Sequence, residues 1–499
     1  MRFDVSGKGK MGMRMGWVIR TIMALVAVFF LSGLAEASET IHLTVAEAVR
    51  MAIRENIGLK AERYLPLISR GDVLIEESAF DPDISLSLGE SYERAMSPSI
   101  VTSTRQRSFD LDISLSGRVD AGTRYTVKWN YQKFRGDSSF LIINPYHLTE
   151  LTVTVSQPLL KGFGRKNQRT MIAVAEGNKR ISGYRLKGKM EETALKTINA
   201  YYNVLIAEER LNYARFSLRL AEDVREEVKA KIGAGVLSPV EVYKAESGVA
   251  KREEMVLKAG NGLKDAIDEL RLLLGIRDWR REIVLSGEEE FSDGLPDIEA
   301  SITKVLKYSN EIKQALLEKK NREMLQRFYL NQMLPDVELF GTVGVSGLSD
   351  TRADALDRLL KGADRTWQVG VSLRMPLFRK AERGRYLKAK YEQERAAARI
   401  DELRQRVVLD LRKKWRALEL NLKRIAATGK TRLAEQKRLE AGEGRFREGL
   451  TTLNDLLKFQ EEYTESLFEE RKAVMDYLVS RAEFERAEGS LLSRFGIHP

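Results

Sequence analysis

Few residues of this chain have the types and spacing that chemistry needs. Cys is absent, which removes a thiol nucleophile, thiolate metal sites and disulfides. The three His residues, His42, His147 and His498, stand far apart, with neither metal-ligand spacing nor a plausible triad partner. "LKGFGRKNQR" (160–169) follows a strand-like run and opens a helix-like one, as a phosphate loop would. It lacks both G-x-G-x-x-G and the G-K-[ST] ending, and a strand-to-helix bend accounts for it. Carboxylates are plentiful but sit on charged helix faces, where solvation is the default. No catalytic, cofactor or metal residue is expected, and the chain does not read as an enzyme.

Two acids stand out by their setting. Glu241 lies in "GAGVLSPVEVYKAE" (233–246) and Asp455 in "REGLTTLNDLLKFQ" (447–460). In the two stretches Gly235 matches Gly449, Ser238 matches Thr452, Glu241 matches Asp455 and Lys244 matches Lys458. A Gly inside a charged helical run permits a tight reversal. Ser238 and Thr452 are natural N-caps for a returning helix, with Glu241 and Asp455 at the third position and Pro239 at the first. Each stretch predicts the tip of a helical hairpin. Val236, Leu237, Leu450 and Leu453 put small and apolar side chains at that remote point, which suits a docking surface.

The elements that carry these tips are long. Neither 165–230 nor 381–446 contains Pro, so each predicts a helix of about 100 Å at 1.5 Å per residue. Val408, Leu411, Trp415, Leu418, Leu422 and Ile425 step by three and four, and Val242, Val249, Val256, Leu263 and Leu270 by seven, as coiled-coil packing requires. Strands are marked by alternation through Ile84, Leu86 and Leu88, through Phe109 to Leu115, Tyr125 to Tyr131, Leu151 to Val155, and Trp367 to Leu373. "DAGT" (120–123) predicts a tight turn between two of them.

The chain repeats itself beyond the tips. "LTVAEAVRMAIRENIGLKA" (43–61) is similar to "PDIEASITKVLKYSNEIKQA" (296–315), Pro82 faces Pro335, and Pro158 faces Pro376. The expected organisation is a signal peptide (1–37), a first repeat (38–290) with about four strands and a hairpin, and a second (291–499) with two strands and a hairpin. The first copy holds about 36 extra residues in its strand region. Six strands are too few for a membrane barrel of one chain, and an open sheet edge cannot sit in lipid. If these strands span a membrane, several chains share one barrel, with Trp129, Tyr131, Phe134, Tyr146 and Trp367 near strand ends as interfacial aromatics.

Composition sets the compartment. Residues 1–37 join a basic front end, the apolar run "TIMALVAVFFLSGLA" and an A-x-A site, "AEA". An exported chain without Cys fits the periplasm or outer membrane of a Gram-negative bacterium. The formal charge of +11 comes from basic residues interleaved with acids along helices, which describes solvated surfaces rather than a nucleic-acid partner.

The whole mature chain resembles the TolC-type outer-membrane efflux family. The resemblance lies in the two-copy plan, "LTVAEAVRMAIRENIGL", "SQPLLKGFGRKNQR" and the tips "GAGVLSPVEV" and "REGLTTLNDLL". It implies a mainly α fold with a membrane β-barrel, built as a homotrimer whose strands share one outer-membrane barrel and whose long coiled-coil helices form a periplasmic tunnel. It implies a passive duct of an efflux pump or type I secretion system, partnered by a periplasmic adaptor, indirectly by an inner-membrane pump, and by outer-membrane lipid. Its adaptor-docking element falls on Gly235, Val236, Leu237 and Ser238 and on Gly449, Leu450, Thr451 and Thr452, and its tunnel-mouth acids on Glu241 and Asp455. Two positions depart from the family: Thr451 replaces a basic residue that ties the closed gate, and Lys458 replaces a further acid. The four-strand first copy exceeds the family's two strands, leaving eighteen strands per trimer or a hairpin outside the barrel. The alternative reading is a periplasmic adaptor or coiled-coil scaffold, against which two hairpins and several amphipathic strands argue.

Overall fold

The computed structural model describes residues 40–96, 101–287 and 294–497. The expected signal peptide, His498 and the expected junction at 290–291 lie outside them. The chain opens with β1 (Ile41–Leu43), α1 (Val45–Glu55), α2 (Ile57–Glu62) and α3 (Leu65–Glu77), then β2 (Asp83–Arg94), β3 (Arg105–Arg118), β4 (Arg124–Gly136) and β5 (Tyr146–Pro158). A short α4 (Arg165–Gln168) leads into the hairpin of α5 (Thr170–Gly233) and α6 (Glu241–Leu274). After β6 (Ile283–Leu285) come α7 (Ile298–Tyr308), α8 (Asn310–Gln332), β7 (Asp336–Ser349), α9 (Arg352–Lys361) and β8 (Asp364–Arg374). The second hairpin, α10 (Lys380–Arg447) and α11 (Leu453–Glu488), precedes a terminal turn, α12 (Leu491–Arg494).

The first two helix starts are locally encoded. Thr44 and Glu47 form a capping box on α1, the Thr44 amide donating to Glu47 at 2.8 Å. The opening run does not continue as one helix: it breaks at Asn56, whose side chain caps α2 and also donates to the Leu273 carbonyl at 2.9 Å. The main core lies where both hairpins meet α1. It gathers Val49 and Ala52, Ile198, Tyr201 and Tyr202 of α5, Leu270 and Leu274 of α6, Leu411 and Leu418 of α10, and Met475 and Leu478 of α11. Trp415, Leu422 and Ile425 pack against it from the same seam. The two three-residue strands β1 and β6 pair in parallel beside this core.

The six remaining strands form one antiparallel sheet in the order β2-β3-β4-β5-β7-β8. Register sorts its faces. Ile84, Leu86 and Leu88 share one face with Ile113, Leu115, Val127, Leu151, Val153, Val343, Trp367 and Val369. The opposite face carries Asp110, Asp112, Lys128, Asn130 and Gln132, where Asn130 donates to Asp112 at 2.9 Å and Gln132 to Asp110 at 2.8 Å. The apolar face is open: Ile84 is 73 % exposed, Trp367 79 % and Leu373 69 %. Each such side chain would gain about 1.5–3 kcal/mol on leaving water, so this face calls for an apolar cover. Eleven to fourteen residues per long strand, tilted as in barrels, reach about 30 Å, a hydrocarbon thickness. Among the described residues no helix is long and apolar enough to cross a membrane.

The aromatic residues are placed differently from expectation. Trp129 and Tyr131 stand mid-strand in β4, not at its end. Trp129 Nε1 donates to Thr149 Oγ1 at 2.9 Å and the Tyr131 hydroxyl meets His147 Nδ1 at 2.7 Å. Their polar tips are satisfied on β5, so they need no interfacial water. Helix α9, which sequence reasoning did not see, lies on this part of the apolar face, burying Ala355 and Leu359. Gly347 lets it approach: a Cβ there would stand 2.1 Å from the Ala355 carbonyl oxygen. Phe134 and Tyr146 do lie at strand ends, stacked with centroids 5.0 Å apart.

Candidate functional site: the hairpin tips

Both outgoing helices stop in the same way. Gly235 has φ 75° and Gly449 φ 76°. The Val236 amide reaches back to the Lys231 carbonyl at 2.8 Å, and the Leu450 amide to Arg445 at 2.8 Å. This is the left-handed helix stop that Gly makes without strain.

The return helices start differently. Thr452 caps α11: its Oγ1 accepts from the Asp455 amide (3.2 Å), and its own amide donates to Asp455 Oδ2 (3.4 Å), completing a capping box to which the Thr452 hydroxyl adds a bond of 2.6 Å. Thr451 Oγ1 reaches the same carboxylate at 3.4 Å. The Thr452 hydroxyl holds the Asp455 carboxyl below its ordinary pKa, and nearby Lys458 adds to the effect. Ser238 does not act as the matching cap. Helix α6 begins at Glu241 after Val240, without a side-chain cap. The Glu241 carboxylate turns forward to Lys244 Nζ at 2.7 Å, and a tight turn from the Glu241 amide to the Ser238 carbonyl (3.0 Å) opens the helix instead. Pro239 therefore sits in that turn, ahead of the first helical residue.

The apolar set also divides. Val236 and Leu450 are 68 % and 63 % exposed, as a docking surface requires. Leu453 is buried and Leu237 half-buried, because both turn into a second core with Val224, Val228, Ala245, Leu439, Phe446 and Leu456. Val240 and Tyr243 join the exposed set. Sequence reasoning passed over them; Val240 lies in the turn before α6 and Tyr243 in its first turn.

Two basic residues fasten the tips. Lys231 Nζ donates to the Phe446 carbonyl at 2.8 Å and lies 4.0 Å above the Phe446 ring, joining the two hairpins. Arg252 is buried and donates to Ser217 Oγ (3.1 Å), the Gly248 carbonyl (3.2 Å) and the Leu457 carbonyl (3.2 Å), so it ties α5, α6 and α11. Burial lowers its guanidinium pKa. The partners on the other hairpin, Phe446 and Leu457, lie 215 and 205 residues away in sequence, and no local signal marks either basic residue. Further up α5, Glu192 is held down to about 2 by bonds from Lys189 and Lys196. Among the described residues no three His, Asp or Glu side chains gather in metal-binding geometry.

Residues 68–276 match the model of a family described as outer membrane efflux protein. Over those residues the chain is similar to that family. The match takes in the first tip and the strands β2–β5; the second tip lies beyond it. Solved structures share the fold across most of the molecule. The outer-membrane channel OprN is 16% identical with a TM-score of 0.69, over 89% of this chain and 90% of that one. The Campylobacter jejuni CmeC outer membrane channel is 16% identical at 0.65, over 90% and 86%. The open state of the Neisseria gonorrhoeae MtrE outer membrane channel is 16% identical at 0.63, over 90% and 89%. No curated protein matches the chain by sequence. Over most of its length the chain thus has the fold of these outer-membrane channels.

Proposed function

We propose that three copies of this chain form one passive duct, serving a tripartite efflux pump or a type I secretion system. The observation that carries the proposal is the sheet: an apolar face open to the surroundings, a polar face behind it, and two outer strands, β2 and β8, each paired on one side only. Lipid satisfies the face but not the edges, because an unpaired backbone group in hydrocarbon costs several kcal/mol. Joining β8 of each copy to β2 of the next keeps the antiparallel alternation and closes the ring.

The surplus residues of the first half support eighteen strands over twelve. Hairpin β3–β4 stands inside the sheet, between β2 and β5. At 4.8 Å per strand and a tilt near 40°, eighteen strands give a backbone diameter of about 36 Å, against about 24 Å for twelve. Below it, four long helices from each copy wall the tunnel, each half of the chain (38–290 and 291–499) supplying a hairpin.

At the tips, Gly235, Val236, Leu237, Ser238, Gly449, Leu450, Thr451 and Thr452 form the adaptor-docking element, with Val236 and Leu450 as its exposed contacts. Glu241 and Asp455 mark the tunnel mouth. Lys244 and Lys458 stand one turn on from each acid, so cation preference there is weak. With Thr451 in place of a basic residue, the Lys231–Phe446 tie and the shared tip core hold the mouth shut. The pump supplies the energy, and this chain supplies a path and a gate.

The test is the mass of the detergent-extracted protein after membrane fractionation, followed by conductance in a planar bilayer. A trimer from the outer-membrane fraction that conducts ions is expected. A water-soluble monomer without conductance sinks the proposal.

A further inference from the structure

At the rim farthest from the long helices, the outward face of the sheet changes character. Beyond the apolar band aromatic and basic side chains alternate, Phe109 opposite Lys133 and Tyr92 opposite Arg107, with Arg135 beside Arg107 and with Arg94 and Arg105 outermost, all on the same face by register. Arg94 is directly opposite Arg105, and Arg107 directly opposite Arg135. Like charges facing across strands destabilise a sheet unless a counter-charge sits between them.

The protein's own acids do not meet that demand. Glu90 pairs with Arg107 at 2.5 Å. Asp137 Oδ1 accepts from the Thr104 and Arg105 amides and Oδ2 from the Thr104 hydroxyl. Of the described ion pairs, only Arg107–Glu90 involves the cluster, and Arg94, Arg105, Lys133 and Arg135 are all exposed. Between the strands a cleft of about 500 Å³ is lined by Glu90, Tyr92, Arg105, Arg107, Arg135 and Asp137.

We propose that this rim binds the phosphate-bearing headgroup of an outer-leaflet lipid. The proposal rests on the reading of the sheet as membrane-embedded. The occupant follows from the order along the strands: an apolar band, then a rim where aromatic and basic side chains stand together, is the order of acyl chain and anionic interface. Guanidinium groups match phosphate with paired N–H donors. Acyl chains lie along Ile84, Leu86, Leu88 and Ile113 while the phosphates neutralise the facing Arg pairs. A headgroup there also fastens β2, an outer strand, to β3 and β4, and so steadies the edge that meets the next copy.

The test uses the whole trimer, delipidated in detergent. Its melting temperature is measured with a diphosphorylated glycolipid, with phosphatidylethanolamine, and with inorganic phosphate at equal concentration. Stabilisation by the glycolipid alone is expected. In R94Q/R105Q/K133Q/R135Q its affinity should fall about fivefold per charge removed, at about 1 kcal/mol each, while R105K/R135K keeps most of it. Equal shifts in wild type and the fourfold Gln variant, or an equal shift with inorganic phosphate, overturn the lipid proposal while an outer-membrane trimer leaves the duct reading standing. A water-soluble monomer overturns both. If the Gln variant does not assemble, the same comparison is made with R105Q/R135Q.

Discussion

The two tips begin alike and end differently. Each outgoing helix stops at a left-handed Gly with the same backbone bonds. The second return helix then starts on a closed capping box, Thr452 with Asp455, whereas the first starts on an uncapped turn at Val240. Where two acids occupy matching positions, the one that turns back becomes a cap and the one that turns forward becomes an ion pair with Lys244. The second tip is thus the better anchored locally, and the first depends more on Lys231 and the shared core.

The largest effects should come from the exposed contacts. Leu450→Asp, or Gly449→Pro, which removes the amide that bonds Phe446, should reduce export to the level of a strain lacking the gene while the trimer persists. Val236→Asp should do the same if the first tip docks too. Normal drug or protein export in both Asp variants would remove the docking role. Next comes Lys231→Met. Losing a charge-assisted bond costs about 1.5–3 kcal/mol, enough to raise the open fraction of a closed mouth roughly tenfold or more. Planar-bilayer conductance reads this, and an unchanged open probability would show that the tie does not hold the gate.

Smaller effects separate the caps. Thr452→Ala should destabilise the start of α11 by about 1 kcal/mol, and Ser238→Ala should have almost no effect on α6. Hydrogen exchange at the Asp455 and Glu241 amides gives the comparison, and equal responses would mean that Ser238 caps after all. The smallest is the response to acid. Because the Asp455 carboxyl is held below its ordinary pKa, its contribution is present above the unfolded value near 4 and is lost as pH falls through the lower folded value. Exchange protection of the second tip, corrected for intrinsic rate, should therefore drop below about pH 4. Thr452→Ala should remove most of that dependence.

Much of the fold was legible because its signals are short-range. Alternation through Ile84–Leu88 and Trp367–Leu373 marks strands because a pleat has period two. Gly235 and Gly449 mark reversals because the backbone angle they adopt suits few other residues. Helix α9 was legible too, from Thr351, Asp354 and Gly362, but went unread. What failed needed a partner far along the chain. Leu453 points inward because α5 and α10 build a core beneath it. The polar tips of Trp129 and Tyr131 are satisfied within the sheet because β5 brings Thr149 and His147 alongside them. The parallel pair β1 and β6 joins segments about 240 residues apart, each too short to announce itself.

By itself, the sequence determined the periods, the stops and the faces: which runs are helix or strand, where the helices must turn, and which side of each strand is apolar. These depend on residues within a turn or two of each other. The tertiary structure alone decided which acid caps and which pairs, that Lys231 reaches across to Phe446, that β3–β4 lies within the sheet, and that five bases crowd one rim of it. Each of those is a choice between local geometries of nearly equal energy, and only a neighbour brought in from elsewhere in the chain can tip it.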